Sequence, residues 1–195
     1  MYMGKFGYGV SDRVVEDSRI TYRAYDRNQE KSRMICIIGD GGHAGVLKSL
    51  LTEGMEFYCI TTDQEPKPDE DLLLGIGSNK IRREVFRKYG AKRFLSVICK
   101  TAFIAPNVRH GHGAQIMSGA ILQVNTVIGD NVIINTGAQV DHDCIIGDHV
   151  FIAPGAIILG GCTIKEGAFI GAGAIIIEGK SVMENRFVKA GRVYQ

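Results

Sequence analysis

The sequence predicts a small α/β unit with a parallel sheet over residues 34–100, followed by an all-β parallel β-helix over residues 101–195. Two observations carry this reading. Residues 104–193 divide into fifteen consecutive blocks of six without slippage, and fourteen of the fifteen begin with an aliphatic residue, His110 being the exception. Upstream, between residues 34 and 98, short apolar runs alternate with stretches of helical periodicity, the order of elements that builds a parallel sheet.

Each six-residue block reads as one short strand and one tight corner. Its fourth residue is Gly or Asn in thirteen of fifteen blocks, with Asp143 and His149 in the other two, and its fifth is small or β-branched from Val108 through Ala174. Gly and Asn are the residues that best tolerate positive φ, so these positions read as corners. Three corners close a triangular coil, which makes eighteen residues one coil and the repeat five coils. A single coil has no core of its own, and stacking is what buries the aliphatic columns.

Taken in order, residues 1–33 carry a charged run without an apolar period and are expected to be a poorly ordered upstream extension with no part in the chemistry. Residues 35–38 read as a buried strand. The turn GDGGHAG at residues 39–45 leads from it into a helix carrying Val46, Leu47, Leu50 and Leu51. Further strands are expected at 57–60, 72–76 and 94–98, and a second helix at 79–89 with Ile81, Val85 and Phe86 on one face. The run 64–71, with two prolines and four carboxylates, is an exposed connection. A glycine-rich turn after the first strand of such a Rossmann-like sheet presents free N–H groups and a helix dipole to anions. GDGGHAG falls short of the full dinucleotide fingerprint, and it serves equally well as a tight strand-to-helix turn.

The net charge of +2 lies within residues 1–33, which hold seven Lys or Arg against five Asp or Glu, so the rest of the chain is neutral and lacks the basic footprint of a nucleic-acid binder. No apolar run is long enough to insert into a membrane, and no secretion signal is evident at the start. The five cysteines have no paired spacing, which fits a reducing, cytoplasmic setting.

His142 takes an outward position in its block, and Asp143 replaces the usual corner Gly or Asn. A carboxylate beside an imidazole favours the imidazolium, and a histidine so placed is suited to take a proton near neutral pH. Cys144, two residues away, occupies an inward position, which argues against a nucleophilic role.

Three segments, IIGDGGHAG, GIGSNKIRREVF and INTGAQVDHDCIIGD, resemble the hexapeptide-repeat sugar acyltransferases of the sialic acid O-acetyltransferase-like family, above all the nucleotide-linked 4-amino-sugar N-acetyltransferases of the bacillosamine, perosamine and viosamine pathways. The resemblance covers residues 34–195. It implies a left-handed β-helix, a homotrimer with active sites between neighbouring solenoids, acetyl-CoA along the coils with no metal, and a nucleotide-linked amino sugar on the N-terminal unit. It further implies His142 as general base, Asp143 as the group raising its basicity and Asn135 as a residue fixing local hydrogen bonds. Gly41, Gly42 and His43 match the nucleotide-sugar turn, Asp63 the acid after the second strand and Gly77 the turn after the third. Gly160, Ala172 and Ala190 fall where the family meets the coenzyme. Two departures stand out: Asp63 is followed by Gln64 where relatives often carry a second acid, and Phe151 stands where some carry a coenzyme-contacting histidine.

An O-acetyltransferase acting on a sialic acid or another sugar hydroxyl would use the same base. A zinc hydratase of the same solenoid class needs a histidine pattern that His110, His112, His142 and His149 do not reproduce. A non-catalytic trimeric scaffold would need the glycine turn only for its fold.

Overall fold

A computed structural model describes residues 20–21, 34–51 and 56–195. Most of the expected N-terminal extension lies outside the described residues. Within it, Ile20–Thr21 form a strand, β1, which pairs antiparallel with residues 98–99.

The α/β unit has three parallel strands, β2 (Ile35–Ile38), β3 (Phe57–Ile60) and β4 (Asp71–Leu74), in the order β3-β2-β4, with helices α1 (Gly42–Leu50) and α2 (Asn79–Tyr89). Its glycines allow close approach. Gly39 sits at φ +118°, and a Cβ there would lie 2.6 Å from the Gly75 carbonyl oxygen, while a Cβ on Gly75 would lie 2.6 Å from that of Ala44 in α1. Ser78 caps α2 by accepting from the Ile81 N–H, as short hydroxyl side chains do at helix starts.

Two expectations fail here. Residues 94–98 do not add a strand to this sheet; Phe94 makes a single parallel bridge to Leu72, and β5 (Val97–Cys99) pairs instead with residues 115–116 of the solenoid. The ring of Phe94 stacks on Phe86 at 4.8 Å and fills the α/β core, after which the chain crosses to the first solenoid sheet. In α2, the inward face is Arg82, Val85 and Phe86, whereas Ile81 is 43% exposed.

From residue 103 onward, sixteen two-residue strands run from Phe103–Ile104 to Val193–Tyr194 and stack in three parallel sheets, each pairing residue i with residue i+18. The aliphatic column Ile116, Leu122, Ile128, Ile134, Val140, Ile146, Ile152 and Ile158 is buried along the axis. All fifteen corner residues adopt positive φ, between 54° and 69°. Asp143 at 57° and His149 at 61° therefore keep the backbone of the repeat while changing its chemistry.

The two parts meet along one edge of the prism. Arg82 is fully buried and donates from Nη2 to the His149 carbonyl at 3.0 Å and from Nε to the Asn131 side-chain oxygen at 3.2 Å. Burial lowers its pKa to about 9, leaving it charged at neutral pH; these acceptors replace water at Nε and Nη2, while Nη1 is buried without a hydrogen-bond partner among the described residues. The guanidinium also lies 5.8 Å from the Phe151 ring centroid. Asn79 Nδ2 donates to the Gly167 carbonyl at 3.1 Å, and Arg83 donates to Asn185 Oδ1 at 2.7 Å. Helix α2 thus follows corner residues 131, 149, 167 and 185. No helix of the described residues is long and apolar enough to cross a membrane.

Truncation in the axial column opens a cavity that rigid neighbouring coils cannot fill. Ile152→Ala is expected to cost about 2–5 kcal/mol, read as a lower denaturant midpoint at fixed protein concentration.

Candidate active site

The corner at residues 141–144 is built around the left-handed conformation of Asp143. The Asp143 N–H donates to the Val124 carbonyl of the coil above at 3.0 Å, and the Gly161 N–H of the coil below donates to the His142 carbonyl at 2.9 Å. His142 is pinned by backbone on both sides, and its side chain leans outward, about half exposed. The Asp141 carboxylate accepts from the His142 backbone N–H at 2.8 Å.

His142 Nδ1 lies 2.8 Å from Asp143 Oδ2. The other carboxylate oxygen, Oδ1, accepts from Asn125 Nδ2 at 3.0 Å. The hydrogen bond to Asp143, then the negative charge of Asp141, raise the His142 pKa above the ordinary imidazole value. The same bond, then that from Asn125, hold the Asp143 carboxyl below the ordinary carboxylate range. With Nδ1–H donating to Asp143, neutral His142 carries its lone pair on Nε2, which no group among the described residues engages by a hydrogen bond. Below the ring lies Gly160, where a Cβ would come within 2.7 Å of Cε1 and Nε2. The imidazole occupies that position because residue 160 has no side chain.

Asn135 and the two alanines lie elsewhere. Asn135 heads the corner before that of His142, and its Oδ1 accepts from the Thr136 N–H at 2.8 Å. Ala172 and Ala190 are exposed on that same edge of the prism, one coil apart. Within one chain, then, His142, Asp143 and Gly160 come together on one edge, and Asn135, Ala172 and Ala190 line another. Phe151 points away from both, stacked on Phe169 at 4.7 Å and covered by Arg82.

The α/β residues gather at the carboxyl ends of the parallel strands, where open α/β sheets take ligands. Gly41 and Gly42, after β2, and Gly77, after β4, are exposed with open space where a Cβ would stand. Asp63 follows β3 in an exposed turn, where the hydroxyl of Thr61 donates to its carboxylate and lowers its pKa. Gln64 Oε1 folds back to accept from the Thr61 N–H at 2.9 Å, so the residue that replaces a second acid is spent inside the turn. His43 turns toward the solenoid. Its Nε2 lies 2.7 Å from Gln115 Oε1, and Gln115 donates to the Leu74 carbonyl at 2.8 Å. Burial lowers the His43 pKa.

Two further groups are settled by their partners. Cys144 is buried in the axial column, its thiol donates to the Leu159 carbonyl, and burial pushes its pKa up to about 11; a thiol so protonated is no nucleophile. His149 Nδ1 accepts from Asn131 Nδ2 at 2.8 Å, and burial beside Arg83, Arg82 and Arg87 lowers its pKa to about 4.

A family model described as bacterial transferase hexapeptide (six repeats) matches residues 125–160 and 143–178. A histidine-to-alanine variant of GDP-perosamine N-acetyltransferase from Caulobacter crescentus, solved in complex with CoA and GDP-perosamine, is 31% identical over 80% of this chain and 86% of that chain, with a TM-score of 0.73. The chain belongs to the hexapeptide-repeat sugar N-acetyltransferases. The acetyltransferase domain of PglB from Neisseria gonorrhoeae, in complex with acetyl coenzyme A, is 29% identical to this acetyltransferase over 83% of its chain and 90% of that domain, with a TM-score of 0.69. WeeI from Acinetobacter baumannii, 24% identical with a TM-score of 0.62 over 81% of this chain and 94% of that chain, shares the fold. No curated protein sequence matches the chain. The solenoid of this acetyltransferase is the left-handed β-helix of its family.

Gly160→Ala tests the geometry directly, since residue 160 is outside the left-handed region and alanine suits its backbone. The added methyl would displace the imidazole, and a misplacement of about 1 Å can cost about 100-fold. Turnover should fall by that order in a protein whose circular dichroism and melting temperature match the wild type.

Proposed function

We propose that this acetyltransferase moves an acetyl group from acetyl-CoA to the amino group of a nucleotide-linked 4-amino-4,6-dideoxy sugar, with His142 as general base. The observation that carries the reading is the outward imidazole whose Nδ1 is held by Asp143 while Nε2 has no hydrogen-bond partner among the described residues. The co-substrate supplies an activated acyl thioester. The amine nitrogen forms a bond to the thioester carbonyl carbon as its proton passes to His142 Nε2. The carbon–sulfur bond then breaks, and the imidazolium returns the proton to the departing thiolate. Asp143 stabilises the imidazolium between these transfers. The neighbouring Asp141 carboxylate adds to the same field.

Gly160 leaves the space beside Nε2 open, and exposed Ala172 and Ala190 leave a low wall on the next edge, as a long, thin co-substrate would need. The two edges stand apart in one chain, and a neighbouring copy can bring one against the other. This supports a homotrimer with the co-substrate between adjacent prisms and Asn135 contributed to the boundary. We place the nucleotide sugar on residues 34–100, at Gly41, Gly42, Asp63 and Gly77, with His43 fixing the turn from below. The cysteines are all unpaired, and a reducing cytoplasm suits both them and the co-substrate. Two relatives support the chemistry: one was solved with acetyl coenzyme A, the other with CoA and GDP-perosamine.

The test is thiol release from acetyl-CoA against a panel of UDP-, dTDP- and GDP-linked 4-amino-6-deoxy sugars. One member should support turnover, and His142→Ala should lower it by about 100-fold or more without changing the oligomer. Release with no sugar of the panel, or an unchanged rate in the variant, would remove the assignment.

A further inference from the structure

The corner column that carries Asp143 runs Asn107, Asn125, Asp143, Gly161 and Gly179, all at positive φ. Glycine fills the two lower places, so the backbone alone would accept glycine at residue 125. A non-glycine residue in this region carries a conformational cost, smaller for Asn, whose short polar side chain can bond locally. Asn125 uses its side chain on one partner, donating from Nδ2 to Asp143 Oδ1 at 3.0 Å.

That bond has a consequence for the base. A carboxylate held only at Oδ2 can rotate about its terminal torsion, which is soft, and release Nδ1. Held at both oxygens, it fixes the ring, its tautomer and the direction of the Nε2 lone pair. An aspartate at residue 125 would present a second carboxylate in place of the donor.

We propose that Asn125 is a positioning residue of this active site, its amide holding the Asp143 carboxylate so that His142 Nε2 stays aimed at the reacting amine. The inference rests on His142 acting as the base. Asn125 itself lies one coil from the ring and acts through Asp143. The Asn125 bond also helps keep the Asp143 carboxyl ionised.

The experiment compares Asn125→Gly, Asn125→Asp and His142→Ala in the full-length enzyme. Asn125→Gly keeps the backbone conformation and deletes only the side chain. It should lower kcat about tenfold, the low end of what the loss of an outer-shell partner costs at metal sites, with KM unchanged for both substrates. The proton NMR signal of His142 Nδ1–H should broaden or vanish. Asn125→Asp, nearly isosteric, should lower kcat at least as far. Wild-type kcat in either Asn125 variant, or a fall accompanied by an unaltered Nδ1–H signal, overturns the role of Asn125. If His142→Ala keeps full activity, the base assignment fails instead, and the two failures are told apart.

Discussion

Every sixth residue of the solenoid must turn through the left-handed region of backbone space, and everything else follows from that requirement. Fifteen corners obey it without a shift in register, which keeps the aliphatic column on the axis and coils in parallel register. Most corners meet it with Gly or Asn. At Asp143 and His149 the chain accepts a costlier residue, and both side chains have hydrogen-bonded work: Asp143 on the ring of His142, His149 on Asn131 beside the buried guanidinium. The departures in composition therefore mark the candidate catalytic edge and the edge on which α2 docks, along one uninterrupted backbone.

The docking edge relates two chemically different halves. A guanidinium buried without a carboxylate partner among the described residues is costly, and Arg82 is held by the Asn131 amide oxygen and the His149 carbonyl. Those acceptors are free because the corner exposes backbone and side-chain oxygens that the strand ladders do not use. His43 makes a second tie through Gln115 to the end of β4. The carboxyl ends of the three parallel strands are thus tied to the solenoid through side chains of both parts.

Much of this was readable in the sequence because periodicity reports burial directly. The repeat register, the strands at 35–38 and 57–60 and the helix at 79–89 all lie where apolar spacing puts them. Apolar spacing does not say which sheet a strand joins, so it places residues 94–98 in the α/β sheet, although Val97–Cys99 open the solenoid. It also ranks Ile above Arg for burial, and in α2 the reverse holds, since the carbonyls under Arg82 are supplied by residues far away in the chain. His142 and Asp143 stood out as a break in composition. Asn125 did not, because Asn is an ordinary corner residue; only its spacing of one coil from Asp143 could have singled it out. Asn135 and His142 are close in sequence yet occupy different edges, a separation that needs the closed triangle to be seen.

The central claim is that Asp143 makes His142 a stronger base than an ordinary imidazole and that the reaction uses its neutral form. The most direct measurement is the pH dependence of kcat/KM for wild type against Asp143→Ala, with the same amino sugar so that its own titration cancels between them. With His142 as the base, the rate should fall as pH drops through its pKa, because the protonated ring cannot accept a proton. The wild-type acid limb should lie above the ordinary histidine value, as the Asp143 bond and the Asp141 charge require, and should move to lower pH in the variant. An acid limb in the same place in both enzymes, or one that moves upward in the variant, would contradict the account.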